Sequence, residues 1–229
     1  MPSPDTQDRE ARGGANRRIL LAVALCFVAS GAGGLVLEVA WTRMLRLAFG
    51  STTLAISTVL VAYMLGLGLG GLAAGRLAAR VRNGVRAYGW VELCIGIYAL
   101  FAPTLLGWIP EIGAAWLYGL DFGAASLVRF ALALALLIFP TFCMGATLPL
   151  LVRAVVREQD GRVGRRIGLL YGLNTFGAVA GVLLTSYALF PLLGLRGASY
   201  FGAGLELAVG VLALVFIAPR VAAAPAEAP

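Results

Sequence analysis

Residues 130–172, FALALALLIFPTFCMGATLPLLVRAVVREQDGRVGRRIGLLYG, contain the pattern that decides the fold. An apolar run covers residues 130–151, an arginine-rich polar stretch covers 153–166, and a second apolar run begins at residue 167. The hydrocarbon core of a bilayer is about 30 Å thick and needs about 20 apolar residues per helix. The stretch therefore predicts two membrane-spanning helices that are joined by a basic loop.

The same alternation of apolar runs and arginine blocks extends over most of the chain. Of its residues, 60% are hydrophobic and only 13% are charged, whereas soluble domains carry about 25% charged residues. Six runs are long enough to cross a membrane, namely 19–37, 52–75, 88–108, 130–151, 167–192 and 197–218. We predict an all-α integral membrane bundle of six transmembrane helices that resembles half of a transporter.

The arginines indicate how this bundle is oriented. All 18 basic residues are arginine, and short basic loops stay on the cytoplasmic side of a membrane. With both termini inside, 14 arginines are cytoplasmic, and four lie at the other face: Arg43, Arg46, Arg129 and Arg196. We predict three segments: a disordered basic cytoplasmic tail at 1–18, the bundle at 19–218, and a disordered Ala/Pro-rich tail at 219–229.

The net charge of +7 is best explained by lipid. The arginines stand at the ends of apolar runs, where they meet anionic headgroups of the bilayer, and they form no stripe with interleaved aromatic residues. Nucleic acid is therefore not an expected partner. The chain has no histidine, which excludes a histidine-based triad or an imidazole metal site. We predict neither a metal nor a cofactor, and the pattern identifies no catalytic residue.

Polar residues inside the predicted spans are the candidate functional residues, because ionisable groups are costly there and often functional. They are Glu38, Glu92, Asn174 and Glu206. Two interpretations stay open. The acids line a polar cavity that binds a cation or a polyamine-like substrate, or they are contacts between helices, with the carboxyl groups protonated or hydrogen-bonded. Glu38 is also followed by Arg43 and Arg46, so we predict an ion pair at that corner.

Several motifs together resemble one known family. They are Ser30–Leu35, Leu37–Arg43, Phe49–Thr52, Gly66–Gly70 with Gly75–Ala78, Pro140–Pro149 and Gly168–Ala178. In combination they are similar to the membrane half of bacterial spermidine synthase-like proteins, the multipass relatives of polyamine aminopropyltransferases. The resemblance covers residues 19–218 and implies a location in the bacterial inner membrane.

In that family the membrane half is often fused to a soluble methyltransferase-like α/β domain, which carries the aminopropyl transfer. The resemblance implies that this chain anchors or supplies such a domain, which the 229 residues do not contain, so we expect the chain to be non-catalytic alone. The expected partners are the lipid bilayer and the soluble aminopropyltransferase-like domain or subunit. The predicted cytoplasmic docking residues are Arg76, Arg80, Arg82, Arg162, Arg165 and Arg166.

A looser resemblance supports an alternative function. The turn from Gly71 to Arg82 is similar to the basic loop between the second and third helices of major facilitator transporters, although Ala79 stands where they usually have aspartate. The alternative is a small transporter for a cation or a polyamine-like substrate. Since six helices form half of such a transporter, it would act as a homodimer.

Overall fold

The computed structural model describes residues 4–49, 53–111, 119–155 and 163–223, and within these ranges the chain is helical and has no strand. The helices are α1 (Pro4–Phe49), α2 (Thr53–Leu77), α3 (Gly84–Gly107), α4 (Phe122–Val155), α5 (Val163–Leu184), α6 (Phe190–Leu212) and α7 (Ala218–Ala223). A 3₁₀ turn follows α2 at Ala78–Arg80, and π-helical segments precede α6 and α7 at Thr185–Leu189 and Ala213–Ile217. The all-α prediction is confirmed.

Five helices in the described ranges are long and apolar enough to cross a membrane, where the sequence predicts six. They are Ile19–Phe49, Ile56–Arg80, Gly84–Glu111, Phe122–Ala154 and Val163–Val221. The count differs because the fifth and sixth predicted spans follow each other without a loop, so that they form one helical stretch of 59 residues. A straight helix of that length measures about 90 Å, roughly three times the bilayer core.

This long stretch is interrupted at Gly194. Its backbone has φ 69° and ψ −174°, which is not helical. Glycine adopts positive φ readily because it has no Cβ, so the chain changes direction there with little strain. Both parts pack on α1, and α6 also packs on α3.

The predicted tails are partly helical. Helix α1 begins at Pro4, so residues 4–18, which the sequence predicts to be disordered, have helical backbone. Residues 219–223 belong to α7, and residues 224–229 lie outside the described ranges.

Helices α2 and α4 pack closely on each other through glycines of both helices. A Cβ added to Gly70 would lie 2.9 Å from the Cα of Phe142, and one added to Gly145 would lie 2.8 Å from the backbone carbon of Leu67. Such distances leave no room for a side chain, so the two backbones touch, as small residues permit in membrane helices.

Proline inside α4 frees a carbonyl that another helix satisfies. Pro140 has no N–H to donate to the carbonyl of Leu136. The Tyr98 hydroxyl of α3 donates to that oxygen instead, at 2.5 Å. The proline interruption thereby becomes a contact between α3 and α4.

The buried apolar side chains form two clusters, one toward each end of the bundle. The first includes Leu37, Trp41, Leu45, Ile95 and Leu137, and the second includes Val23, Phe27, Val85, Tyr88 and Ile217. Two buried glutamates, one in α3 and one in α6, lie between the two clusters along these helices. They form the candidate site.

Candidate functional site: a buried carboxyl pair

Glu92 of α3 and Glu206 of α6 meet inside the bundle. They are 0% and 1% exposed, and their carboxyl groups lie close enough to influence each other electrostatically. Helices α3 and α6 pack directly on each other through Gly89 and Gly210, where an added Cβ on Gly89 would lie 3.1 Å from the Gly210 carbonyl oxygen. This close packing brings the two acids together.

Helix α1 supplies the third wall of the site. The Ser30 hydroxyl donates a hydrogen bond of 2.7 Å to Glu92 Oε1. Three residues further on, a Cβ added to Gly33 would lie 2.6 Å from Glu206 Oε1. The motif Ser30–Leu35 therefore has a local function, since its serine binds one carboxyl group and its glycine leaves space for the other.

Two tyrosines line the surroundings of the pair. Tyr88, one helical turn before Glu92, is buried beside that carboxyl group, and its hydroxyl donates to the Cys26 carbonyl at 3.3 Å. The Tyr63 hydroxyl of α2 donates to the Gly34 carbonyl at 3.4 Å and contacts the Met144 sulfur at 3.0 Å. Helices α1, α2, α3 and α6 thus all contribute polar groups to the middle of the bundle.

The chemistry of the pair follows from the closeness of the two buried carboxyl groups. A hydrogen bond between two carboxyl groups needs at least one of them to carry a proton. Within the described residues, Oε2 of each glutamate is buried and has no hydrogen-bond partner, and no arginine forms an ion pair with either. Two adjacent carboxylates repel each other strongly when both are ionised. The arrangement is therefore suited to hold a proton between α3 and α6.

Asn174 lies near this site without joining it. It is half-buried on α5, and a Cβ added to Gly31 would lie 2.7 Å from its Oδ1 atom. Asn174 thus packs on the residue that follows Ser30, but it forms no hydrogen bond with either glutamate. Of the four predicted candidates, the structure joins only Glu92 and Glu206.

Glu38 lies in a different place, at the other end of α1. Together with Arg43 and Arg46 it lines a cavity of about 510 Å³. Among the described residues, the predicted ion pair is not formed, since no guanidinium nitrogen lies within ion-pair distance of Glu38. The Arg43 guanidinium is instead placed over the Phe190 ring, 4.9 Å from its centroid.

The predicted docking arginines lie mostly on one end of the bundle. Arg76, Arg80, Arg82 and Arg165 are exposed, and Arg166 is half-buried, while Arg162 lies outside the described residues. The side chain of Asn83 donates to the Ala218 carbonyl at 3.1 Å, which places the start of α3 beside the end of the long last helix. The arginines between α2 and α3 therefore lie near Arg220, which is also exposed.

The sequence did not single out Ser30, Tyr63 or Tyr88. Ser30 belongs to a motif that carries the family resemblance, and Tyr88 is four residues before Glu92, on the same helix face. These two signals were available in the sequence. In the part of the chain that the structure describes, no group of three or more His, Cys, Asp or Glu side chains could hold a metal ion.

Comparison with known proteins finds two relatives in Streptomyces coelicolor. The chain is 32% identical to polyamine aminopropyltransferase 2 over 189 residues, which are 80% of this chain and 31% of that protein. It is 30% identical to polyamine aminopropyltransferase 1 over 220 residues, which are 96% of this chain and 37% of that protein.

The chain has distant similarity to polyamine aminopropyltransferases. It spans about a third of the length of these curated relatives. No family model and no solved structure matches it. The resemblance stated from the motifs is thus confirmed at this level, and the long apolar helices are compatible with a membrane protein.

Proposed function

We propose that this chain is the membrane domain of a polyamine aminopropyltransferase-like protein, in which it anchors or supplies the domain that transfers the aminopropyl group. The observation that carries this proposal is the match to polyamine aminopropyltransferase 1, which covers 96% of the chain but 37% of the relative. The matched third of the relative corresponds to the long apolar helices of this chain. In this proposal, the aminopropyl transfer therefore belongs to the other two thirds.

The proposed arrangement has six crossings, with both termini in the cytoplasm at the bacterial inner membrane. The interruption at Gly194 supports two crossings within residues 163–221, because a single bilayer core is too thin for that stretch. Exposed arginines lie at the end of the bundle where α3 begins. They support a cytoplasmic position for this end.

The same end is the proposed docking surface for the catalytic domain. Its exposed arginines follow α2 and lie at the start of α5, where a cytoplasmic domain or subunit with an acidic face would meet them. Charge complementarity of this kind mainly sets the rate and orientation of association. The transporter alternative is not proposed, because neither relative is named as a transporter.

Purification from the native organism tests this function. An affinity tag at the N-terminus of the chromosomal gene keeps whatever the gene encodes after residue 229. The tagged protein, extracted from membranes in mild detergent, is expected to carry an activity that transfers an aminopropyl group to a polyamine acceptor. An eluate with no more activity than a mock purification contradicts the proposal.

A matched pair of variants tests the docking surface. Substitution of Arg80 by glutamine removes an exposed charge from the basic end, and substitution of Arg196 by glutamine removes an exposed charge from the other end. Both variants are expected to reach the membrane in normal amounts. Only the first is expected to release the aminopropyltransferase activity at moderate salt, because surface charge pairs are screened there.

A further inference from the structure

The cavity beside Glu38 is a polar recess that is separate from the carboxyl pair. It lies between the last turns of α1 and the π-helical segment before α6, with a volume of about 510 Å³. Its polar and aromatic lining consists of Glu38, Thr42, Arg43, Arg46, Ser186 and Phe190. We call it the arginine cavity.

Among the described residues, the charged groups of the arginine cavity form no ion pair with one another. Glu38, Thr42 and Arg46 are four residues apart, so they share one face of α1. Glu38 has no ion-pair partner among the described residues, and Arg46 Nε is buried without a hydrogen-bond partner. Buried polar atoms normally have a partner, which points to a ligand at this place.

Arg43 is held in position for such a ligand. Its guanidinium lies 4.9 Å from the centroid of the Phe190 ring, and this cation–π contact restrains the planar group. A guanidinium stacked in this way keeps its N–H groups at the edge, where they match the oxygens of a phosphate. The cavity thus offers two phosphate-binding side chains, one of them already oriented.

The charge balance of the cavity selects the kind of ligand. Two guanidinium groups and one carboxylate give a lining of net charge +1, so a free polyamine or metal cation is repelled. A phosphate diester that carries an ammonium group can contact all three side chains, because its phosphate accepts charge-assisted hydrogen bonds from the guanidinium groups and its ammonium donates to the carboxylate. Leu47, another lining residue, is 70% exposed, so the cavity opens toward the apolar flank of the bundle.

We propose that the arginine cavity binds a zwitterionic phosphate ester with a primary ammonium group, the headgroup chemistry of phosphatidylethanolamine. Arg43 and Arg46 contact the phosphate, and Glu38 accepts hydrogen bonds from the ammonium. The position fits a lipid, because the cavity is formed by the last turns of the span Ile19–Phe49, at the depth where arginine side chains meet headgroups.

Native mass spectrometry of the purified full chain tests this site. The detergent-solubilised protein is mixed with equal amounts of phosphatidylethanolamine, phosphatidylcholine and phosphatidylglycerol, and the bound lipids are counted. Phosphatidylethanolamine is expected to be retained best, because a trimethylammonium group has no N–H for Glu38. Arg46→Gln is expected to lower its retention about tenfold, as loss of a charge-assisted hydrogen bond does.

Two further variants make the result specific. Glu38→Gln is expected to remove the preference for phosphatidylethanolamine over phosphatidylcholine while phosphate lipids still bind. Arg196→Gln, at the same end but in a different cavity, is expected to bind like the wild type. Equal retention of the three lipids by the wild type, or unchanged retention in a folded Arg46→Gln protein, overturns the proposal.

Excess phosphoethanolamine distinguishes the two sources of this headgroup. When it is added to the lipid-loaded protein, loss of the lipid identifies a soluble ester as a sufficient ligand. Persistence of the lipid shows that the acyl chains contribute to binding and identifies a membrane lipid. Both results support the headgroup chemistry that the three charged residues define.

Discussion

At the residue scale, Glu92 and Glu206 connect three helices through a few atoms. Glu92 accepts a hydrogen bond from Ser30 of α1 at 2.7 Å, and its carboxyl group contacts that of Glu206 on α6. Both are fully buried, so water cannot replace a lost partner. A buried polar group without a partner costs about 1–3 kcal/mol, which makes the pair sensitive to single substitutions.

The first prediction concerns Glu206. Substitution by leucine removes one partner of Glu92 and leaves that buried carboxyl group with the hydrogen bond from Ser30, so stability is expected to fall by about 1–3 kcal/mol. Substitution by glutamine keeps an N–H donor for Glu92 and is expected to cost much less. Thermal unfolding of the purified variants in one detergent measures both effects. If Glu206→Leu unfolds at the wild-type temperature, the pair does not stabilise the bundle.

The second prediction concerns the carbonyl of Leu136, which Pro140 leaves free and Tyr98 satisfies. Tyr98→Phe is expected to lower stability by about 1 kcal/mol. Pro140→Ala restores a helical N–H to the same carbonyl, so Tyr98→Phe should cost less in that background. A double-mutant cycle of unfolding temperatures measures this coupling.

The control for this cycle is Tyr200→Phe, because Tyr200 is 45% exposed and is expected to tolerate the change. An equal cost of Tyr98→Phe in both backgrounds would show that the hydroxyl and the proline act independently.

Sequence reasoning singled out Glu92 and Glu206 but could not predict that they lie side by side. Glu92 and Glu206 stand out because ionisable residues are rare in apolar runs. The structure brings these two acids together and places Glu38 in a separate cavity. This arrangement depends on how α3 and α6 are rotated about their axes. This rotation is set by glycine contacts between helices, which a single sequence does not assign to partners. The ion pair at Glu38 failed for a related reason, since Arg43 lies over Phe190 from a different helix.

At the scale of the elements, glycines decide which helices approach closely. Gly66 and Gly70 face α4, whereas a Cβ added to Gly68 would meet nothing within 4 Å. The three glycines lie in one helix at similar depth, but only those on the packed face restrict side-chain size. The string from Gly66 to Gly70 is therefore a packing motif with one position that makes no contact.

The third prediction uses this difference. Gly70→Ala places a methyl group against the backbone of Phe142, so α2 and α4 must separate, which is expected to cost about 1–3 kcal/mol. Gly68→Ala is the matched control in the same helix and should leave stability unchanged or slightly raised, since alanine favours helix. Unfolding temperatures of the two variants give the comparison. Equal effects would mean that this helix pair does not pack as described.

Sequence patterns predicted the helices well and their breaks less well. Apolar length is a direct physical requirement of a bilayer, and all five observed long helices overlap predicted runs. The continuous helical stretch from 163 to 221 was not predicted, because its interruption is a single glycine with positive φ instead of a polar loop.

At the scale of the whole molecule, the account depends on where the two ends of the bundle lie. The end that contains Arg76, Arg80, Arg82 and Arg220 is rich in exposed arginine, and it must face the cytoplasm for a catalytic domain to dock there. The contacts between helices are the same in either orientation of the bundle. An experiment in a membrane is therefore needed to determine the orientation. The same experiment counts the crossings between residues 163 and 221.

The most direct measurement is cysteine labelling in intact cells, in a chain whose Cys26, Cys94 and Cys143 are replaced by alanine. Single cysteines are placed at Gly164, Arg196 and Pro219, which are all exposed. The account predicts that a membrane-impermeant reagent labels position 196 from outside and reaches positions 164 and 219 only after permeabilisation. Labelling of 164 from outside would contradict the orientation, and labelling of 219 together with 196 would contradict the sixth crossing.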